Sequence, residues 1–302
     1  IALYNGGAAV FRAMGNSEVS MKVSLLMNAI NVSGNAILIY GFHCGTEGVA
    51  IPTLVSRFVA AFIIIKLLLK DNWSLHLERT YRFNPDWSMI RKILSVGIPN
   101  GLENSMFQLG KVLVLSLVST FGTYAIAANA VSNVITLFSI LPGQAICLAV
   151  TTVIARCVGA GDYEQAKYYN KKLILLTHIG MAIFIVFITL PFILKVYNLS
   201  EAASEATRHI IWFHGFCAIL IWAESFTLPA TFRACGDAKA CMIISTVSMW
   251  IFRVGASYIL GKNLGFGVFG VWVAMIIDWA FRSLLFGIRY FSGKWKKHAL
   301  VS

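Results

Sequence analysis

Three carboxylates stand inside long apolar blocks of this 302-residue chain: Glu103, Glu224 and Asp278. An acid in hydrocarbon is costly and by default marks an ion or substrate path. Glu103 follows Gly97-Ile98-Pro99 by one turn, and Gln108 and Lys111 lie further along the same segment. Glu103 and Lys111 are about two helical turns apart, so they share a face without touching. A carboxylate in that setting can bind Na⁺ or take up H⁺. It can equally hydrogen-bond a neighbouring helix, and spacing leaves both readings open. Glu224 lies one turn before Pro229, whose missing N–H frees the carbonyl of Ser225. Together with the Thr227 hydroxyl, those oxygens suit a small cation, or the proline simply kinks its helix. Asp278 precedes Arg282 by four residues, which is the spacing of a structural i,i+4 ion pair.

The elements that carry these residues are membrane helices. Hydrophobic residues make up 58% of the chain and charged residues 13%, against about a quarter charged in ordinary soluble domains. Mean hydropathy is +0.74. The apolar residues come in blocks of about twenty, enough to cross a ~30 Å hydrocarbon layer. One partial span is expected at 1–11. Eight complete ones are expected at 23–41, 49–65, 93–119, 125–155, 173–194, 209–232, 240–261 and 268–288. Pro142 falls inside the long span 125–155 and should kink it. His178, His209 and His214 lack ligand spacing and read as packing residues. The six cysteines form no CxxC pair and read as small buried hydrophobes, with no metal site.

The net charge of +12 does not indicate nucleic acid, because the bases gather in loops between apolar blocks. Of 25 Lys and Arg, 18 fall in alternate connections and the tail, three in the opposite connections and four within spans. The three are Lys195, Arg208 and Lys262. The positive-inside rule then places the loop 66–92 and the C-terminus in the cytoplasm. That loop carries Trp73, Leu75, Leu77, Tyr81, Phe83 and Trp87 among its charges and is expected to form a short surface helix. An enzyme finds little support: DxxxD, HExxH, GxSxG and P-loop motifs are absent from the sequence. Glu201 and Glu205 read as ordinary acids at a helix start.

The sequence also repeats. Phe11, Arg12, Ala13 and Gly15 recur 221 positions later as Phe232, Arg233, Ala234 and Gly236, and Met21, Ser24, Ile30 and Gly34 recur as Met242, Ser245, Ile251 and Gly255. Both copies have one orientation, so the repeats are parallel, as in transporters built from two six-span halves. The expected organisation is spans 4–6 of a first lobe at 1–66, a cytoplasmic linker at 67–92, a six-span second lobe at 93–291 and a tail at 292–302. Three further spans are expected before Ile1.

Three segments carry a family likeness: GIPNGLENSMFQLGK at 97–111, the run from Ala127 to Lys167 with its Asn-to-Pro spacing and GAG, and the FRAxG turn present twice. The chain resembles the multidrug and toxic compound extrusion (MATE) family. The resemblance implies an all-α protein with two lobes around a central cavity. It implies export of organic, often cationic, compounds across the plasma membrane, driven by Na⁺ or H⁺ without a bound cofactor, with small molecules and lipid as partners. A monomer is expected. Related flippases of lipid-linked oligosaccharides share the fold and are the alternative reading; a membrane-embedded enzyme is a lesser one. Family members often carry an acid on the seventh and the tenth span. Glu103, or the neutral Gln108 in a shifted register, stands at the first place and Glu224 at the second.

Overall fold

A computed structural model describes residues 1–77, 85–186 and 200–298, the side chains of 297 and 298 excepted. Two compact units divide the chain, residues 1–85 and 86–302. The regular elements among the described residues are all helical, with no strand among them.

The first unit holds α1 (Ala2–Ala13), α2 (Ser17–Ala36, extended by a π-helical turn Ile37–Gly41) and α3 (Glu47–Leu68). Phe11 and Ile64 are fully buried at its centre. Trp73 meets Phe11 edge-on with ring centroids 5.3 Å apart, and the Leu77 amide donates to the Leu68 carbonyl at 2.8 Å. The start of the linker therefore folds back onto α3. Residues 69–77 form turns rather than the surface helix expected there, and Tyr81 and Phe83 lie outside the described residues. Trp87 opens the next helix.

The second unit begins with α4 (Trp87–Ser119), capped by Asp86, whose carboxylate accepts from the Ser88 and Met89 amides. Then follow α5 (Thr123–Ser139), α6 (Leu141–Gly159), α7 (Tyr163–Phe184), α8 (Glu201–Trp222), a π-helical turn Ala223–Thr227, and α9 (Leu228–Ala234). The unit ends with α10 (Ala238–Ser248), π-helical turns Met249–Gly255 and Tyr258–Asn263, α11 (Gly267–Phe291) and a short 3₁₀ turn Lys294–His298. Six helical stretches among the described residues are long and apolar enough to cross a membrane. The 33-residue α4 is not one of them, although its length far exceeds a bilayer. Glu103, Asn104, Gln108 and Lys111 dilute its apolar character, and these side chains build the site described below.

The span expected to kink at Pro142 is two helices. α5 ends at Ser139, and Pro142 stands in the first turn of α6, where its missing N–H costs nothing. α5 packs on α8, while α6 packs on α7 and α9. The track α8–α9 instead stays helical from Glu201 to Ala234, but a π-helical turn widens it just before Pro229, which stands in the first turn of α9. The break and the widened turn meet. Gly143 lies so close to Trp222 that a Cβ there would come within 2.2 Å of the indole, and the Cys147 thiol lies 3.7 Å from the Phe226 carbonyl and 3.4 Å from the Thr227 hydroxyl.

Both FRAxG turns close their helices alike. Gly15 and Gly236 each have φ of 84°, in the left-handed region that glycine enters without penalty. The amides of Asn16 and Asp237 reach back to the carbonyls of Phe11 and Phe232, each at 2.9 Å. This is a Schellman cap in both copies, so the sequence repeat is also a repeat of backbone geometry.

Candidate functional site

The second unit carries a half-open cavity of about 650 Å³ between α4, α6 and the α8–α9 track. Glu103, Gln108 and Lys111 line it from α4, Gln144 and Cys147 from α6, Arg233 from α9 and Arg282 from α11. The three candidates of α4 thus come together, because successive turns of one helix present them to one space.

Glu103 is not a free carboxylate. Both of its oxygens accept from Nη2 of Arg233, at 2.8 and 2.9 Å. Both side chains are largely buried, 12% exposed for Glu103 and 26% for Arg233. The FRACG turn therefore delivers its arginine to the acid of α4.

Glu224 does not line this cavity. It sits in the π-helical turn, and its Oε1 lies 2.9 Å from Nε2 of His178 on α7. Nδ1 of the same ring lies 2.6 Å from the Ile219 carbonyl. A carbonyl only accepts, so Nδ1 must carry hydrogen. The contact with Glu224 then needs one more proton, either on Nε2 or on the carboxyl. The pair consequently holds a shared proton in either tautomeric arrangement. Glu224 Oε2 is buried without a partner. The expected arrangement, Glu224 with the Ser225 carbonyl and the Thr227 hydroxyl around a cation, gives way to this contact, because the wide turn swings Glu224 toward α7. His178 accordingly has a polar partner that its spacing did not announce. His214 does pack, edge-on against Trp272 and Trp279.

Asp278 is fully buried. It accepts from Nε of Arg282 at 3.1 Å and from the Ser248 hydroxyl. Arg282 is itself nearly buried, with Nη2 donating to the Ser245 carbonyl at 3.4 Å, yet it still lines the cavity. Next to the main cavity lies a smaller chamber of about 250 Å³, which shares Lys111 and adds Arg253, Asn129 and Asn133 against Val271, Trp272 and Met275. All six cysteines are free thiols, with Cys157, Cys235 and Cys241 buried.

The family model described as MatE matches residues 99–259, the stretch that supplies most of the cavity. The chain belongs to the MatE family. This is a family of transporters, not enzymes, and the chain is a multi-pass helical membrane protein. A probable multidrug resistance protein NorM from Thermotoga maritima is 28% identical over 98% of this chain. The chain spans 64% of that relative's length. Among solved structures, a multidrug resistance MATE family transporter of the MOP superfamily in an outward-facing conformation matches with a TM-score of 0.86 and 21% identity, covering 97% of this chain and 66% of that one. A MOP superfamily transporter from Pyrococcus furiosus, described as having a binding pocket of reversed polarity, matches with a TM-score of 0.85 and 21% identity, over 96% of this chain and 66% of that one. These likenesses establish the fold.

Proposed function

We propose that this MatE protein exports organic small molecules in exchange for protons, with Glu103 as the coupling carboxylate. The observation that carries the reading is the Glu103–Arg233 pair inside the cavity. Protonation of Glu103 releases Arg233 at the end of a helix track already widened by a π-helical turn before Pro229. Local ion-pair exchange then becomes movement of a packed element, as alternating access requires. The named drug-resistance relatives support efflux as the activity. A proton fits better than Na⁺, because both candidate acids already face nitrogen groups, the Arg233 guanidinium and the His178 ring. A metal ion would have to displace these. Gln108 and Lys111 serve as substrate contacts in this scheme, while Asp278–Arg282 braces α11.

The oligosaccharide-flippase reading keeps one specific observation in its favour. Four cations (Lys111, Arg233, Arg253, Arg282) line the two adjoining spaces, against Glu103 in the larger one and Asp278 buried behind Arg282, an excess of two positive charges. The test is dye efflux from proteoliposomes under imposed H⁺ or Na⁺ gradients. Wild type should respond to H⁺, and Glu103→Gln should lose that response. Export by the Glu103→Gln variant at wild-type rates under every gradient refutes the assignment.

A further inference from the structure

Phe107 stands amid three cations. Lys111 Nζ lies 5.0 Å from the ring centroid, and the guanidinium carbons of Arg253 and Arg282 lie 5.2 and 5.3 Å from it. Arg282 has Asp278. Among the described residues, no carboxylate comes within 4 Å of Lys111 or Arg253; the polar contact of Arg253 is with the Met275 sulfur at 3.2 Å. Both line the smaller chamber. There Asn129 spends its Oδ1 on the Trp272 indole N–H, at 3.1 Å. This fixes the amide orientation and leaves its NH₂ as a donor. One chamber thus gathers an ammonium, a guanidinium and an amide N–H. Its other wall is apolar, formed by Val271, Trp272 and Met275.

We infer that this chamber binds an organic anion: a carboxylate or phosphate held by Lys111, Arg253 and Asn129, with an apolar body against Val271 and Trp272. The inference names the cargo class of the export proposed above and rests on that reading for its role, though not for its geometry. A guanidinium and an ammonium offer the donors that carboxylate and phosphate oxygens accept most strongly. A bound anion also relieves the repulsion between two cations that share one ring. A cationic drug entering the same space meets that repulsion and finds no accessible carboxylate, since Glu103 is occupied by Arg233 and Asp278 by Arg282.

The test uses three probes of one shape: 2-naphthoate, uncharged 2-naphthamide and cationic 2-naphthylmethylammonium. Each is titrated calorimetrically onto the purified protein in nanodiscs of zwitterionic lipid. The naphthoate should bind about tenfold tighter than the other two, or better. Lys111→Gln and Arg253→Gln should each remove most of that preference, weakening the naphthoate far more than the amide. Lys111 is exposed, so its variant keeps the test decisive should Arg253→Gln fail to fold. Equal or tighter binding of the ammonium, or a preference that survives both substitutions, overturns the inference. A second arm adds a polyprenyl phosphate to the nanodisc. Competition that Lys111→Gln abolishes assigns the anion to a lipid head group, and absence of competition assigns it to a soluble compound; both retain the anion site. Binding is read without transport, so an inactive exporter with intact preference refutes the proposed function alone.

Discussion

Truncating either member of the Glu103–Arg233 pair tests whether the ion pair holds α4 to the end of the α8–α9 track. The N–O distances are 2.8 and 2.9 Å. Unit charges ~4 Å apart attract by about 4 kcal/mol at an effective dielectric near 20, and desolvation of both groups opposes most of that gain. Removing one partner of a fully buried pair costs about 3–5 kcal/mol, because the other charge is stranded. Arg233 is 26% exposed and can draw water, so about 2 kcal/mol is the expectation here, reduced by that access. Glu103→Ala and Arg233→Ala should each destabilise by that amount. The double variant should lose about 2–3 kcal/mol rather than the full 4, a coupling of ~1–2 kcal/mol. Thermal unfolding of detergent-solubilised protein, followed by tryptophan fluorescence, provides the assay. At about 2–4 °C per kcal/mol for a unit of 150–250 residues, each single variant should melt ~4–8 °C lower. Strictly additive losses in the double variant would show that the two side chains do not act on each other, and the coupling scheme would lose its release step.

Gly143→Ala should destabilise by about 2–3 kcal/mol in the same assay, since its Cβ would sit 2.2 Å from the ring of Trp222, itself 1% exposed. Gly110→Ala meets the terminal methyl of the flexible Met249 side chain at 2.3 Å and should cost less, about 1 kcal/mol; equal losses would contradict the idea that the rigid Trp222 ring wedges the start of α6. Single cysteines at the exposed Ser74 and Ser292 should react with an impermeant thiol reagent only after cells are permeabilised, on the charge asymmetry of the loops. Labelling of intact cells reverses the orientation.

The helical character was legible because apolar blocks of membrane-crossing length leave few alternatives. The break at Ile140 was not, since Pro142 can kink a continuous helix or start a new one, and the choice fell to the Gly143–Trp222 contact 79 positions apart. The site divides in the same way. Glu103 and Lys111 share a helix face by periodicity, while Gln108 lies well round the helix from Glu103 and joins them only because the cavity wraps that side of α4. Arg233 is 130 residues from Glu103, and tertiary packing alone brings them together. The recurrence of FRAxG singled out that arginine as part of a repeated turn without naming its partner. His178 offered no spacing to anything, because its partner Glu224 hangs from a π-helical turn whose extra residue no helical periodicity anticipates. Arg253 counted as one more base inside a span, and its place beside Phe107 required the fold.

The charge arrangement constrains how exchange could operate. Neutralising Glu103 leaves Arg233 without its carboxylate and raises the positive excess around the cavity by one. In that conformation an anion binds more tightly, and by linkage the anion in turn favours protonation of Glu103. Mutual assistance of this kind belongs to a cotransporter, whereas an exchanger must keep its two passengers apart. Proton-for-anion exchange therefore needs a second conformation in which protonated Glu103 coexists with a closed chamber. Lys111 is placed to transmit that closure. It lines both spaces, stands two turns from Glu103 on α4, and contacts the same phenyl ring as Arg253. Rotation of α4 on release of Arg233 would move Lys111 and Phe107 together, and so dismantle the anion site in the same step that accepts the proton.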